Sequence, residues 1–156
     1  MKVKDIVNKN PKSCHFQTTL KEAALLMKKS DCGVLPVLDQ TQKVTGMISD
    51  RDICLAVAEQ DKRPSELQVK NIPAIMKERL IACSLDDDVE KCLQQMSKNQ
   101  IRRIPVIDEK GRLYGVVSLN DIVLKAKEGK GVSPSYHDVL ETFKGICEHT
   151  HHEPRL

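Results

Sequence analysis

Two serine–aspartate pairs at one spacing are the residues of this chain best suited to chemistry. They are Ser49 with Asp52 and Ser118 with Asp121, and each pair follows a glycine and two apolar residues. At a strand-to-helix junction such an aspartate can accept two hydrogen bonds from the vicinal hydroxyls of a ribose. The free N–H groups and the dipole of the following helix favour an anion nearby. A phosphate, a ribose and an apolar seam for a base together describe a nucleotide.

The same spacing is also that of an ordinary helix cap. In that arrangement the serine and aspartate side chains bond the free backbone N–H groups of the first helical turn. Such a cap stabilises a helix by roughly 0.5–2 kcal/mol without any ligand. The motif alone therefore leaves both roles open.

Arg102 and Arg103 add positive charge close to the second pair, because they lie inside an apolar segment that continues with Ile-Pro. Adjacent residues of a strand point to opposite faces, so one arginine can reach water while the other needs an anion. Arginine binds phosphate through two N–H groups at once. The alternative partner is a carboxylate of this chain, either Asp108 or Asp121.

An ungapped internal repeat determines where these residues lie. Gly46–Ile53 recurs as Gly115–Ile122, and the offset of 69 residues holds over the whole stretch 20–55. A repeat of this length indicates two copies of one supersecondary unit. The copies differ where Gly33 and Val34 take the place of the two arginines, so phosphate binding in the first copy would depend on Arg51 or on groups from the other copy.

Each copy predicts the element order strand, helix, strand, strand, helix. Apolar residues at i, i+3, i+4 and i+7 predict the first helix of each copy. The faces are Leu20, Ala23, Ala24 and Met27 after a Thr19–Glu22 capping box, and Val89, Cys92, Leu93 and Met96 after an Asp87–Glu90 box. The remaining predicted elements are strands at 13–16, 33–38, 44–49, 101–107 and 113–118, helices at 50–59, 120–127 and 136–147, and short entry segments at 3–7 and 69–76. Pro36 and Pro105 predict that their strands lie at a sheet edge or end, because proline lacks a ladder donor.

The expected fold class is α+β, with two β-α-β-β-α repeats packed sheet to sheet about a pseudo-twofold axis. Such packing would create two equivalent clefts at the seam, where small-molecule sites are favoured. The expected domains are the first repeat at 1–60, a linker at 61–68, the second repeat at 69–127, and a C-terminal extension at 128–156 that consists of an amphipathic helix and a polar tail.

The amino-acid composition argues against a binder of single-stranded nucleic acid and against a membrane-spanning protein. Of the 156 residues, 40% are apolar, the net charge is +3 and aromatic residues make up 3%. Few aromatic residues argue against single-stranded nucleic acid as a partner, because such binding uses stacking side chains. No apolar run is long enough to span a bilayer, and the first residues lack the pattern of a signal peptide. A cytoplasmic location is the default expectation. The six scattered cysteines are expected to be small buried hydrophobic residues in a reducing compartment.

Two further groups of residues could hold a metal or form a nucleophile. Cys147, His149, His151 and His152 lie near the chain end, but their spacing fits no standard zinc motif, and a polar tail is the favoured interpretation. His15 follows Cys14, but no acid partner is apparent in sequence, so a structural role is favoured. No catalytic constellation is apparent, and we expect neither an enzyme nor a metal site.

The repeat closely resembles a cystathionine-β-synthase (CBS) domain pair. The resemblance is carried by Asp31–Asp39 with Gly46–Ile53, and by Gln100–Asp108 with Gly115–Ile122, and it covers about residues 1–127. It implies a regulatory, energy-sensing module that binds AMP, ADP, ATP or S-adenosylmethionine between the repeats, with no cofactor besides that ligand. It also implies a disc-shaped homodimer whose contacts, or whose contacts with an unidentified regulated protein, change on binding. The alternative is a dimeric interaction module whose clefts bind no nucleotide.

The resemblance also implies roles for particular residues. Asp52 and Asp121 would hold ribose hydroxyls, and the arginine pair would face phosphate. The residues expected near ribose or phosphate are Ser49, Arg51, Ser118, Asn120, Arg102 and Arg103, and those expected at the base are Ser13, Cys14, Ile81 and Ala82.

Overall fold

The computed structural model describes residues 1–73, 75, 80–129 and 131–148, which form an α+β fold with two small sheets and five helices. The strands are β1 (Asn8–Lys9), β2 (Cys14–His15), β3 (Val34–Leu38), β4 (Val44–Ser49), β5 (Arg103–Ile107) and β6 (Leu113–Ser118). The helices are α1 (Leu20–Lys29), α2 (Asp50–Gln60), α3 (Val89–Asn99), α4 (Leu119–Val123) and α5 (Tyr136–Cys147), with 3-10 turns at Val3–Asp5 and Val69–Asn71.

The first copy has the predicted order of elements and a three-stranded sheet. The strand order is β2-β3-β4, with β2 parallel and β4 antiparallel to β3. Leu35, Val37 and Ile48 of this sheet have no exposed surface. They pack with Leu20 of α1 in one apolar cluster. The period-2 and 3.6-residue patterns of the sequence therefore meet in a shared core.

The second copy departs from the first at its opening strand. That strand is reduced to a bridge in which Cys83 pairs in parallel with Val106. The sheet order is β1-β6-β5, because the N-terminal strand β1 pairs antiparallel with β6. In the register of this pair Asn8 faces Val116 and Lys9 faces Gly115.

The edge position predicted from proline is wrong for Pro36, because β3 is the central strand of its sheet. The second copy shows how a neighbouring parallel segment avoids the missing donor. The Cys83 N–H donates to the Pro105 carbonyl at 3.0 Å, and the Ile107 N–H donates to the Cys83 carbonyl at 2.9 Å. A parallel pairing of this kind uses the groups on either side of one residue, so the proline nitrogen is not required.

The helix starts confirm one predicted cap and correct another. Thr19 and Glu22 form the predicted capping box at α1. The box predicted at Asp87–Glu90 is wrong, because the N-cap residue of α3 is Asp88 and its side chain makes no capping hydrogen bond. The prediction that Ala24 belongs to the apolar face of α1 is also wrong, because this residue is exposed.

The helix predicted at 120–127 is shorter than expected. α4 ends at Val123, and the next N–H groups, of Lys125 and Ala126, donate to carbonyls three residues back. Lys127 then forms a bridge with Ser135. The chain therefore leaves the helix before this bridge, although the local apolar pattern would have continued the helix.

The described residues divide into two compact units whose boundary falls within β5 and β6. The larger unit comprises the described part of Asn8–Ser84 together with Pro105–Val116. The smaller unit comprises Met1–Val7, Leu85–Ile104 and the described residues from Val117 onward. In the smaller unit the N-terminal segment is held by the Val3 N–H, which donates to the Asp87 carbonyl at 2.9 Å.

The C-terminal helix α5 has the predicted bounds and packs along α3. The contact is close, because a Cβ at Gly145 would lie 2.0 Å from the Ser97 Oγ. Much of the apolar surface of α5 stays exposed: the exposed fractions are 59% for Tyr136, 53% for Leu140 and 44% for Phe143. The segment entering the second copy, predicted at 69–76, extends into residues outside the described ranges.

All six cysteines are free thiols. Cys14, Cys83 and Cys92 are buried, as predicted, and Cys32 is half-buried. The prediction of burial is wrong for Cys54 and Cys147, which are exposed. Burial raises the pKa of the Cys14 thiol to about 12. This thiol is therefore uncharged at neutral pH and has little nucleophilic character.

Candidate functional site

The first serine–aspartate pair begins helix α2 as a complete capping box. The Asp52 N–H donates to the Ser49 Oγ at 3.1 Å. The Ser49 N–H and hydroxyl both donate to the Asp52 Oδ2, each at 2.7 Å. Both side chains are half-buried. The capping role that the spacing allowed is therefore present in the folded chain.

The second pair begins helix α4 with the same geometry. The Asp121 N–H donates to the Ser118 Oγ at 3.2 Å. The Ser118 N–H and hydroxyl donate to the Asp121 Oδ2 at 2.9 and 2.6 Å. The two copies therefore form the same three hydrogen bonds, between the same atoms, at this junction.

In each box only one carboxylate oxygen is committed. Oδ2 of Asp52 and Oδ2 of Asp121 accept two hydrogen bonds each, whereas neither Oδ1 accepts one from a described residue. A carboxylate has about four lone-pair positions, so Oδ1 can still accept bonds from ligand hydroxyl groups. Capping and ligand binding are therefore compatible in one side chain.

A backbone hydrogen bond joins each junction to the start of the preceding hairpin. The Asp50 N–H donates to the Gly33 carbonyl at 3.0 Å, and in the second copy the Leu119 N–H donates to the Arg102 carbonyl at 2.8 Å. Arg102 lies just before β5, and Arg103 is the first residue of that strand. The arginine pair of the second copy is consequently adjacent to the Ser118–Asp121 box.

Neither arginine forms an ion pair with a described residue, so the alternative of a salt bridge to Asp108 or Asp121 is not realised there. Asp108 instead pairs with Arg112 at 2.8 Å. Arg102 is exposed, and its guanidinium carbon lies 5.7 Å from the centre of the Phe143 ring on α5. Phe143 is a neighbour of the arginine pair that the repeat could not reveal, because α5 lies outside it.

The first copy has an acid beside the position at which the second copy has an arginine. A Cβ built on Gly33 would lie 3.0 Å from the Asp50 Oδ2. The Asp50 carboxylate therefore lies beside the atom from which an arginine side chain starts in the second copy. The sequence analysis did not identify Asp50 as a site residue. The repeat does contain a signal for it, since an acid in the first copy stands where the second copy has Leu119.

Of the residues predicted to hold a base, Cys14 lies on β2 and Ser13 directly precedes it, whereas Ile81 and Ala82 lie on no strand. Cys14 pairs with Val37, whereas Ser49 pairs with Val34 on the other side of β3. Cys14 and Ser49 are thus separated by about 10 Å along the strand and about 10 Å across it. In the second copy the half-buried pair 81–82 directly precedes the Cys83 bridge.

One cavity of about 500 Å³ lies in the larger unit and contains only Ser13 among the predicted site residues. It is lined by Asn10, Pro11, Lys12, Ser13, Leu38, Gln42, Asp108, Arg112, Leu113 and Tyr114. A cavity of about 290 Å³ lies in the smaller unit between α4 and α5 and contains Asn120. Its other lining residues are apolar apart from the Tyr136 hydroxyl, and among them is Phe143.

Two negative findings apply to the described part of the chain. No group of three or more histidine, cysteine, aspartate or glutamate side chains is arranged to hold a metal. His149, His151 and His152 lie outside the described residues. No described helix is long and apolar enough to cross a membrane.

Comparison with known proteins identifies both a relative much longer than this chain and a relative of similar length. The L-aspartate semialdehyde sulfurtransferase of Methanocaldococcus jannaschii is 32% identical over 120 residues, which are 77% of this chain but 22% of the sulfurtransferase. The protein YlbB of Bacillus subtilis is 30% identical over 142 residues, 90% of this chain and 92% of YlbB. The chain therefore spans about a fifth of the first relative and most of the second.

Solved structures give the same relationship. The CBS domain pair of protein MJ0100, crystallised in complex with methylthioadenosine and S-adenosyl-L-methionine, superposes with a TM-score of 0.70 and 32% identity, covering 80% of this chain and 98% of that one. The family model of the CBS domain matches residues 3–59 and 69–128. Because that model matches both copies of the repeat, the protein belongs to the CBS domain family and contains a tandem pair.

Proposed function

We propose that this CBS domain pair is a regulatory module that binds an adenosyl ligand, with one aspartate of each copy on a ribose. Asp52 and Asp121 would accept ribose hydroxyls, supported by Ser49 with Arg51 and by Ser118 with Asn120. Arg102 and Arg103 would bind phosphate. The residues at or just before the opening strand or bridge of each copy would contact the base, namely Ser13, Cys14, Ile81 and Ala82.

The observation that carries the proposal is the uncommitted carboxylate oxygen in both capping boxes. The Ser118 donors fix the orientation of the Asp121 side chain, so its free Oδ1 is held in place before a ligand arrives. A preorganised acceptor loses little side-chain entropy on binding. The complex of the MJ0100 pair with two adenosyl compounds supports the same class of ligand.

Regulation would follow from differential affinity. A ligand can shift the equilibrium between two states of a protein only by as much as it prefers one of them. We propose that ligand binding alters the contacts of a homodimer or of a regulated partner protein. The ligand candidates are AMP, ADP, ATP and S-adenosylmethionine.

Isothermal titration calorimetry of Asp121→Ala tests the ribose role. Loss of a hydrogen-bonded carboxylate should weaken binding by about 1–3 kcal/mol, or roughly 5- to 150-fold. The chain offers a matched control in α5, where Ser135 and Asp138 form a box of the same geometry outside the repeat. Asp138→Ala removes an equivalent cap and should leave ligand affinity unchanged.

The two variants separate binding from stability. Each should lose a cap contribution of about 0.5–2 kcal/mol in the free energy of unfolding. If Asp121→Ala binds AMP, ATP and S-adenosylmethionine as wild type does, Asp121 is a cap and nothing more. No heat with any of these ligands at millimolar concentration would refute the adenosyl proposal itself.

A second candidate function is a protein-interaction module whose clefts bind no nucleotide. It is favoured by the exposed apolar side chains of α4 and α5, in particular Tyr136, Leu140 and Phe143. Large exposed apolar patches mark interaction sites. This function predicts that Asp121→Ala leaves self-association unchanged in light scattering, whereas Leu140→Asp reduces it.

A further inference from the structure

The two copies of the repeat carry opposite net charge around their equivalent strand-to-helix junctions. Gly33 and Arg102 make the same backbone hydrogen bond to the residue that opens the following helix. That residue is Asp50 in the first copy and Leu119 in the second. The charged member of this hydrogen-bonded pair is therefore the acid Asp50 in the first copy and the cation Arg102 in the second.

The Asp50 carboxylate also lies close in space to the residue that is equivalent to Arg102, namely Gly33. Its Oδ2 lies 3.0 Å from the point where a side chain on Gly33 would begin. Its Oδ1 accepts the Arg51 N–H at 2.8 Å, which holds the carboxylate in place. Arg51 forms no ion pair with a described residue, so no guanidinium neutralises the acid within the described chain.

The charged groups of the two junctions therefore differ in balance. The first has two carboxylates, Asp50 and Asp52, and one guanidinium, Arg51. The second has two guanidiniums and one carboxylate, with neutral residues at 119 and 120. A phosphate dianion is attracted to the second arrangement and repelled by the first, because the net charge around it is positive in the second and negative in the first.

We propose that the two copies sort adenosyl ligands by charge, and that Asp50 is the residue that excludes phosphate from the first. The second copy takes a phosphate-bearing nucleotide such as AMP. The first takes an adenosyl compound without phosphate, neutral or cationic. This inference rests on the proposed function, since it assigns a ligand class to each aspartate.

The test is run in an Asp121→Ala background, which weakens binding to the second copy, with AMP and methylthioadenosine as probes in calorimetry. Adding Asp50→Asn keeps the acceptor for the Arg51 N–H and removes only the charge. AMP affinity should then rise about tenfold or more, and methylthioadenosine affinity should stay within about twofold. Glu59→Gln makes the same charge change at the far end of α2 and should leave AMP affinity unchanged.

Salt provides a second measurement. The gain in AMP affinity from Asp50→Asn should shrink as ionic strength rises, since screening weakens interactions between exposed charges. Asp50→Leu, which installs the residue of the second copy, should give a similar gain. Unchanged thermal melting of Asp50→Asn would show that the fold is intact.

The outcomes distinguish the inference from the proposed function. If AMP binds both copies of the wild type with equal affinity, or if Asp50→Asn gains no more than Glu59→Gln, charge sorting is wrong while adenosyl binding stands. If neither AMP nor methylthioadenosine binds any variant, both are wrong. A gain confined to AMP and to the Asp50 variants supports both.

Discussion

Replacing Gly145 by alanine should loosen the contact between α3 and α5. An ideal Cβ at this position would lie 2.0 Å from the Ser97 Oγ and 3.2 Å from the Ser97 Cβ. Rotation about the Cα–Cβ bond of Ser97 can move the hydroxyl, but it leaves the Cβ where it is. The backbones of the two helices would have to separate, or the new methyl group would remain compressed.

Two opposing effects set the magnitude. Alanine is favoured over glycine inside a helix by about 1 kcal/mol. Overpacking a close contact costs about 1–3 kcal/mol. We therefore expect Gly145→Ala to lower the free energy of unfolding by up to about 2 kcal/mol, although the same change at an exposed helical position would raise it.

Urea unfolding followed by circular dichroism measures this change in a double-mutant cycle. Ser97→Gly alone should cost about 0.5 kcal/mol through helix propensity. In the double variant the added methyl group has room, so the two substitutions should show a favourable coupling of about 1–3 kcal/mol. Stabilisation by Gly145→Ala alone, with no coupling to Ser97→Gly, would refute the close approach of the two helices.

Three further predictions concern single side chains. Phe143→Leu removes the ring beside Arg102, so AMP affinity should fall severalfold while methylthioadenosine affinity is unchanged; an equal loss for both would exclude a phosphate-specific role. Iodoacetamide should modify exposed Cys54 in the folded protein and should modify Cys14 only after denaturation, because burial raises the Cys14 pKa to about 12; mass spectrometry of the peptides decides. The pKa of Asp39 is lowered mainly by the hydroxyl of the threonine two residues later and by the Lys43 N–H. The stability advantage of wild type over Asp39→Asn should therefore be complete above the unfolded pKa, near 4, and disappear as pH falls through the folded value; an advantage independent of pH would refute it.

The internal repeat made the fold predictable, because the same apolar pattern occurs in both copies and each occurrence supports the helices and strands predicted for the other. The bounds of β4 and β6 and the position of α5 agree with the sequence prediction. In those elements the periodicity of apolar side chains and the local turn residues act in the same direction. Helix α4 is shorter than predicted, and it ends before a bridge between Lys127 and Ser135 that no local pattern indicates.

The site was predictable only in part, and the reason is again distance in sequence. The capping boxes follow from the three-residue spacing of serine and aspartate, whose hydrogen bonds are local. Phe143 reaches Arg102 from a helix outside the repeat, so no comparison of the copies could reveal it. The approach of Asp50 to Gly33 depends on how a hairpin meets a helix start, which requires the folded backbone.

Helix capping and ligand binding do not exclude each other for the serine–aspartate pairs in this geometry. A cap uses one oxygen of the carboxylate, as Oδ2 of Asp52 shows by accepting both donors of Ser49. The bonded oxygen fixes the direction of the other, which a freely rotating aspartate could not maintain. The α5 box has the same hydrogen bonds but lies outside the repeat. Ligand affinity should therefore depend on where a box lies in the fold, while its contribution to stability should depend only on its hydrogen bonds.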